Sequence, residues 1–424
     1  MRQLISLLFV LLLAPVAAAQ ILTLEQCFQW VVEDHPKTGE KVLFDKSLQL
    51  RLEQLDKNFL PQFGFEGQAT YQSDVTRVDL NVPGMNFDIP SPDKDQYKVA
   101  LNLSQTIYDG GITKTSKKME GMSAEINNQQ IEVIMLQVKE SVAKTYFTIL
   151  LMQQQKAQLR IIREKLKAQL SQIRSAVRNG MAIPSDTSLI KVELVKLGNQ
   201  INQVERNRKT SFLILEELTG KSLHASRKLS VPQYTVQAEN SFEARPEMKL
   251  LDMQMTQLDH SKSLQDKLYR PKVAAFGTAG YGKPALNMLS DEFNTYWVFG
   301  AKVTWELWNW NKAEDEKKIL SFNQRILQKE KEALEQNLNV SLLQKQSEID
   351  DYREMTQEDL KVLELYKGIV KSHASRLKNG TITPAEFIDQ LNNQKKAQLN
   401  YELHQIQLEK AKVEYHLILG KTKQ

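Results

Sequence analysis

The chain has 424 residues, 56 Lys and Arg against 51 Asp and Glu, a formal charge of +5 and one cysteine. So small an imbalance, spread through mixed-sign segments with no basic tail, argues against nucleic acid as a partner. Cys27 alone excludes an internal disulfide, a cysteine-based zinc cluster and an iron–sulfur site, and reads as a small buried apolar residue. Gly and Pro supply only 29 residues, about 7% where roughly 12% is usual, so long uninterrupted elements are expected.

The N-terminus carries Arg2, an apolar run from Leu4 to Ala14 and the small residues Ala17, Ala18 and Ala19. That pattern predicts a signal peptide over residues 1–19, cleaved after Ala19, and hence export. The apolar run is too short to cross about 30 Å of hydrocarbon, and no later stretch reaches 18 apolar residues. Any membrane span must therefore be a β-barrel.

Two halves of the chain repeat at an offset of 200 residues. Arg178-Asn179-Gly180 returns as Lys378-Asn379-Gly380, Pro184 as Pro384, and Leu218-Thr219-Gly220-Lys221 as Ile418-Leu419-Gly420-Lys421. Upstream, Leu60-Pro61 pairs with Arg270-Pro271 at an offset of 210, and Ile107-Tyr108-Asp109 with Leu307-Trp308-Asn309 at 200. The first structural repeat spans 20–221, a linker 222–245, and the second repeat 246–424. Each begins with a helix. Strands are predicted at 62–71 and 97–108 in the first repeat and at 272–281 and 297–308 in the second.

All four strands alternate with a period of two. Phe63, Phe65, Gly67, Ala69 and Tyr71 interleave with Gln62, Gly64, Glu66, Gln68 and Thr70, and Tyr97, Val99, Leu101 and Leu103 with Lys98, Ala100, Asn102 and Ser104. In the second repeat Val273, Ala275, Gly277, Ala279 and Tyr281 form one apolar set and Trp297, Phe299, Ala301, Val303 and Trp305 the other, with Lys272, Thr278, Lys302, Thr304 and Glu306 among their alternates. Segments of about nine to twelve residues with one apolar and one polar face suit an outer-membrane barrel, although a soluble sheet resting on helices also alternates. The aromatics favour the membrane, with Tyr71, Tyr97, Tyr281 and Trp297 predicted at one end and Phe63, Tyr108, Trp305 and Trp308 at the other, as interfacial girdles. The hairpin loops 72–96 and 282–296 are long and polar, with Pro83, Gly84, Pro90, Pro92, Gly282 and Pro284. Four strands cannot close a barrel, since about eight are the minimum, so the chain must join copies of itself.

Helices are predicted at 112–179 and 184–219 and again at 312–379 and 384–419. The first of each pair contains no Pro and one Gly, Gly121 or Gly368, and would run about 100 Å. The apolar stripe Ile131, Met135, Val138, Val142, Tyr146, Ile149 and Met152, continued by Leu159, Leu166, Leu170, Ile173 and Val177, has coiled-coil spacing. A Gly after Asn, then an early Pro, marks each break as a helical hairpin tip, placed at the far end from the strands.

In order and in duplicate, Leu22-Thr23-Leu24-Glu25-Gln26-Cys27, Asp34-His35-Pro36, Leu60-Pro61-Gln62, the run from Leu103 to Gly111 and the Asn-Gly tips resemble the TolC family of outer-membrane efflux and export channels. The resemblance covers essentially the whole chain after the signal peptide. It implies a mixed α/β membrane protein: a homotrimer whose twelve strands form one barrel, continued by a coiled-coil tunnel through the periplasm. It implies as partners a periplasmic adaptor protein and an inner-membrane transporter, besides the outer-membrane lipid of a Gram-negative bacterium.

The resemblance also implies an aperture ring at the tips from Glu386, Asp389 and Asp186, with adaptor contacts at Asn179, Gly180, Arg376, Asn379 and Gly380. Without it, Glu386 and Asp389 read as first-turn acids favoured by a helix N-terminus. The sequence departs from the family at Leu377 and Ile382, where a Tyr and an Arg hold a hydrogen-bonded lock, and it ends at Gln424 without a long C-terminal tail.

The six histidines show no metal-ligand pairing, and neither a G-x-S-x-G nor a phosphate-loop signature occurs, so no catalysis, cofactor or metal is expected. The function read from the sequence is a passive duct in a tripartite efflux or type I export system. The competing readings are a secreted or periplasmic coiled-coil scaffold or adhesion protein without a pore, and a periplasmic adaptor. The latter needs a compact β-domain between two helices, whereas here strands interrupt both halves.

Overall fold

The computed structural model describes residues 21–76, 91–181, 183–223, 227–236, 241–379, 381–382 and 384–421. The signal peptide over 1–19, the loop residues Pro83, Gly84 and Pro90, the tip glycine Gly380 and the chain end at Gln424 lie outside the described residues.

Among the described residues eleven α-helices and strands run twice through a similar order, the first pass carrying one extra helix at its start. The first set is α1 (Leu24–Asp34), α2 (Pro36–Asp56), β1 (Gln62–Tyr71), β2 (Asp95–Tyr108), α3 (Ile112–Arg178) and α4 (Pro184–Thr219). The second is α5 (Pro246–Leu268), β3 (Lys272–Lys283), β4 (Asn294–Thr304), α6 (Lys312–Lys378) and α7 (Pro384–Ile418). The helices α3 and α6 are each 67 residues long and start 200 residues apart, as the sequence repeat requires. The fold is thus mostly helical, with one four-stranded antiparallel sheet per chain.

The chain divides into two units, one of residues 42–128 and 251–330 and the other of the rest. In the strand-bearing unit the sheet order is β1-β2-β3-β4. Register decides which residues share a face: Phe63 lies opposite Leu103, Leu103 opposite Gly277, and Gly277 opposite Phe299. The same is true of Phe65, Leu101, Ala279 and Trp297, so the four apolar sets form one continuous face. Gly277 admits the Phe299 ring from across the ladder, and a Cβ there would meet it at 2.7 Å. The helices of this unit are tied by ion pairs, Arg51 to Glu120 at 3.0 Å, Lys317 to Asp266 at 2.9 Å, and Lys117 to Asp56.

The fourth strand differs from its expected span of 297–308. It begins at Asn294 and stops at Thr304, leaving Trp305 and Trp308 beyond the ladder. The cause lies on the partner strand, because Thr304 pairs with Lys272 and the residue before it, Pro271, has no N–H to extend the pairing. Trp305 instead donates its indole N–H to the Tyr269 carbonyl at 3.1 Å.

In the helical unit α1 starts with a reciprocal cap, Thr23 Oγ1 accepting from the Gln26 N–H and Gln26 Oε1 from the Thr23 N–H, both at 3.2 Å. Its inner residues Leu24, Cys27 and Val31 are completely buried, as are Val142, Tyr146, Phe147 and Ile149 of α3 and Leu215 of α4. The Tyr146 hydroxyl lies 2.7 Å from the carbonyls of both Leu22 and Ser230, where the chain passes twice as a small parallel bridge. A second core gathers Phe242, Met248, Leu338, Leu342, Ile349, Ala411, Tyr415 and Leu419. The sequence-predicted stripe on α3 is buried at Ile131, Met135, Val142, Tyr146, Ile149 and Leu170 and half-buried at Val138, Met152, Leu159, Leu166, Ile173 and Val177, so most of its buried positions lie away from the tip.

The segment 222–245, read from sequence as a linker, is tied down where it is described. Tyr234 is buried, its N–H donating to Glu409 at 2.8 Å and its hydroxyl to Glu25 at 3.1 Å.

Candidate functional site

Two places carry the chemistry the sequence singles out, the two faces of the sheet and the two hairpin tips. On the apolar face Phe65 is 77% exposed and Trp297 68% exposed, and no part of the described chain covers either. So large an uncovered apolar surface marks contact with something other than water. The opposite face carries Gln62, Glu66, Lys98, Asn102, Thr278 and Lys302. Three of these form a chain of side-chain hydrogen bonds across the strands: Thr278 donates to Asn102 Oδ1 at 2.8 Å, and Asn102 Nδ2 donates to Glu66 at 3.1 Å. Polar and apolar faces on one sheet are the requirement for separating water from lipid.

The strand ends that lead into the long loops are fastened together. Lys283 pairs with Asp93 at 2.5 Å and with Asp291 at 3.2 Å, and the Phe293 ring stacks between Tyr97 and Tyr281 at 6.2 and 5.5 Å. Two long polar loops are thereby joined at their bases.

Both tips are built from helix-stop chemistry. At the first, Gly180 adopts a left-handed φ of 74°, and the Met181 N–H reaches back to the Ala176 carbonyl at 2.8 Å. At the second, the Thr381 N–H reaches the Arg376 carbonyl at 2.9 Å in the same pattern. Asn179, Arg376 and Asn379 present exposed side chains around these turns, and Met181 and Ile183 are exposed apolar neighbours.

The three predicted ring acids have different surroundings. Asp186 sits in the first turn of α4 and accepts from the Ile183 N–H at 3.3 Å, so its carboxylate serves as a helix cap. Glu386 is exposed in the first turn of α7. Asp389, one turn further along the same face, forms an ion pair with Lys165 of α3 at 2.6 Å. That pair is the last rung of a polar ladder between α3 and α7 that includes Gln154 to Glu402 at 3.1 Å and Gln158 to Asn400 at 3.2 Å. Lys165 was not visible as a site residue in the sequence. Its partner lies 224 positions away in the other repeat, and no local spacing suggests the pairing.

Cys27 is completely buried in α1, and burial pushes its thiol up to about 12, which makes it unreactive. No helix among the described residues is long and apolar enough to cross a membrane.

A family model described as outer membrane efflux protein matches residues 47–221. No curated protein sequence matches the chain. Solved structures match over nearly its full length. The outer membrane protein VceC of Vibrio cholerae superposes with a TM-score of 0.62 at 13% identity, covering 94% of this chain and 96% of its own. The CmeC outer membrane channel of Campylobacter jejuni gives 0.61 at 14% identity, with 95% and 87% covered. The open state of the Neisseria gonorrhoeae MtrE outer membrane channel gives 0.62 at 14% identity, with 95% and 91% covered.

Proposed function

We propose that this chain, which carries the outer membrane efflux protein domain over residues 47–221 and folds as outer membrane channels do, is one subunit of an efflux channel in the outer membrane, with a helical extension into the periplasm. The observation that carries the reading is the single apolar face shared by all four strands, opposed by a hydrogen-bonded polar face.

The sheet ends at β1 and β4, each with one edge that no other described strand pairs. Unpaired backbone groups cannot face hydrocarbon, where each costs several kcal/mol, so both edges must meet strands of other copies. Three copies supply twelve strands, above the minimum of about eight. The apolar face then meets lipid and the polar face lines water. The channel is a passive duct: energy comes from an inner-membrane transporter, joined through a periplasmic adaptor that engages the tips at Asn179, Gly180, Arg376, Asn379 and Gly380.

Glu386, Asp389 and Asp186, tripled by symmetry, form an acidic aperture that favours cations. Lys165 moderates that field by pairing with Asp389. Leu377 and Ile382 leave the tip without the lock the family resemblance describes, and the ladder between α3 and α7 supplies a restraint instead. A pore-free scaffold would need its apolar sheet face covered by protein, and none of the described chain does so.

The closure is tested by placing one cysteine on β1 and one on β4 in a Cys27→Ala background and weighing the detergent-extracted protein after oxidation. Covalent trimers are expected. A monomer that stays dispersed once detergent is removed would reject closure.

A further inference from the structure

At the end of the sheet where β2 passes into α3, a cavity of about 330 Å³ is lined by Tyr108, Lys114, Lys118, His260, Lys267 and Arg270. We propose that it holds the phosphate of an anionic phospholipid headgroup in the leaflet facing the periplasm. This inference rests on the channel reading above.

Four features support it. First, the four cations are uncompensated: no carboxylate among the described residues pairs with Lys114, Lys118, Lys267 or Arg270. The nearest acid in sequence, Asp109, is spent on the α3 N-terminus, accepting from Gly111 at 2.8 Å and from Thr113 at 2.6 Å, and those bonds lower its pKa. Four like charges around one cavity make a positive field that attracts an anion.

Second, the cavity is lined by an aromatic that belongs to the apolar face of the sheet. The β2–β3 register shifts between Thr106 and Tyr108, with Ile107 as the extra residue. The shift places Tyr108 opposite Val273, on the apolar face, where strict alternation would have turned it inward. Tyr108 is thus an aromatic at headgroup depth beside a basic cluster.

Third, the corner is rigid. Gly110, at a φ of 75°, packs so closely that a Cβ would lie 2.8 Å from the Arg270 Cβ and 3.0 Å from the Lys267 carbonyl. The cations are therefore held on two elements in direct backbone contact. β2 and β3 are also the two inner strands, so closure through β1 and β4 takes place elsewhere.

Fourth, the repeat provides an internal control. The positions matching Lys114 and Arg270 are Glu314 and Leu60, and Lys318, which matches Lys118, pairs with Asp315 at 3.0 Å. The same architecture thus exists once more in the chain with two of the four cations lost, Lys57 and Lys318 standing where Lys267 and Lys118 do.

The test is native mass spectrometry of the detergent-purified full chain with added phosphatidylglycerol or phosphatidylcholine, with and without millimolar inorganic phosphate. Phosphatidylglycerol adducts are expected on the wild type, phosphatidylcholine adducts at background, and neither changed by inorganic phosphate. Lys118→Gln with Arg270→Gln should weaken phosphatidylglycerol binding by about fivefold for each charge removed, the order of attraction between one cation and an anionic membrane surface. Lys318→Gln should leave it unchanged. If the double variant does not fold, Lys114→Gln, at an exposed position, carries the same comparison. Equal binding of the two lipids, or equal binding by wild type and variant, would overturn the site. Loss of the adduct in inorganic phosphate would reassign it to a free anion and overturn the lipid. Conductance of the same preparation separates the two readings, since current without lipid preference removes only the headgroup site.

Discussion

The two repeats make the same joint from different chemistry. At the end of α4, Gly220 turns with a φ of 66° onto the start of α2, where a Cβ would sit 3.4 Å from the Asp34 Cβ, and Lys221 pairs with Asp34 at 2.7 Å. At the end of α7, Gly420 turns with a φ of 75° onto the start of α5, where a Cβ would fall 2.9 Å from the Ala244 and Arg245 backbone. There Arg245, only 7% exposed, donates to both oxygens of Glu247 at 3.0 and 2.6 Å and to the Ile418 carbonyl at 3.1 Å. Duplication preserves the backbone solution, a left-handed glycine seated before a proline. The side chains diverge, one joint secured by a solvent-exposed ion pair and the other by a buried fork that also closes a helix end.

That difference sets the order of effects. Arg245→Met should destabilise the protein by about 3 kcal/mol, because it strands Glu247 and a helix-terminal carbonyl, whereas Lys221→Met should cost no more than about 1 kcal/mol. Equal losses in denaturation of the detergent-solubilised protein would show that the two joints are equivalent after all. Tyr146→Phe follows at about 2 kcal/mol, since the one hydroxyl proton that the Leu22 and Ser230 carbonyls share is lost from a buried site in the first repeat. Gly420→Ala should cost at least about 1 kcal/mol more than Gly220→Ala, because both suffer left-handed strain but only the former meets backbone.

At the tips the contrast becomes one of charge. Glu386→Gln with Asp389→Asn should weaken cation preference in a permeability-ratio measurement, and Lys165→Gln should strengthen it by releasing Asp389. Asp186→Asn should act less than either, because that carboxylate is occupied as a cap. Selectivity unchanged in the double variant would remove the ring.

The smallest effect concerns acid. Hydrogen bonds from Arg208, aided by the Lys156 ammonium, hold Glu205 down to about 2 from 4.5. A depressed carboxylate stabilises the fold fully above pH 4.5 and loses that contribution as pH falls towards 2. Glu205→Gln should therefore lower stability at neutral pH and flatten its pH dependence over that interval, so that variant and wild type converge towards pH 2.

Much of this architecture was legible because its signals are local. Alternation from Gln62 to Tyr71 needs only ten residues to declare a strand, and the Asn-Gly turns name their own geometry. What escaped is decided by distant partners. The end of β4 depends on Pro271, the outward turn of Tyr108 on a one-residue bulge against β3, and the state of Asp389 on Lys165. Arg245 is a single charge next to Pro246, indistinguishable in sequence from a solvated one until α7 packs over it. The basic corner around Tyr108 was hidden for the same reason, since its four cations come from two segments about 150 residues apart.

Three copies of this sheet closing around water would make a conducting pore. Current through a planar lipid bilayer after addition of the detergent-purified full chain tests it most directly. Discrete, long-lived conductance steps with a preference for cations are predicted. Folded protein that stays dispersed without detergent and carries no current would mean that the sheets do not close into a pore.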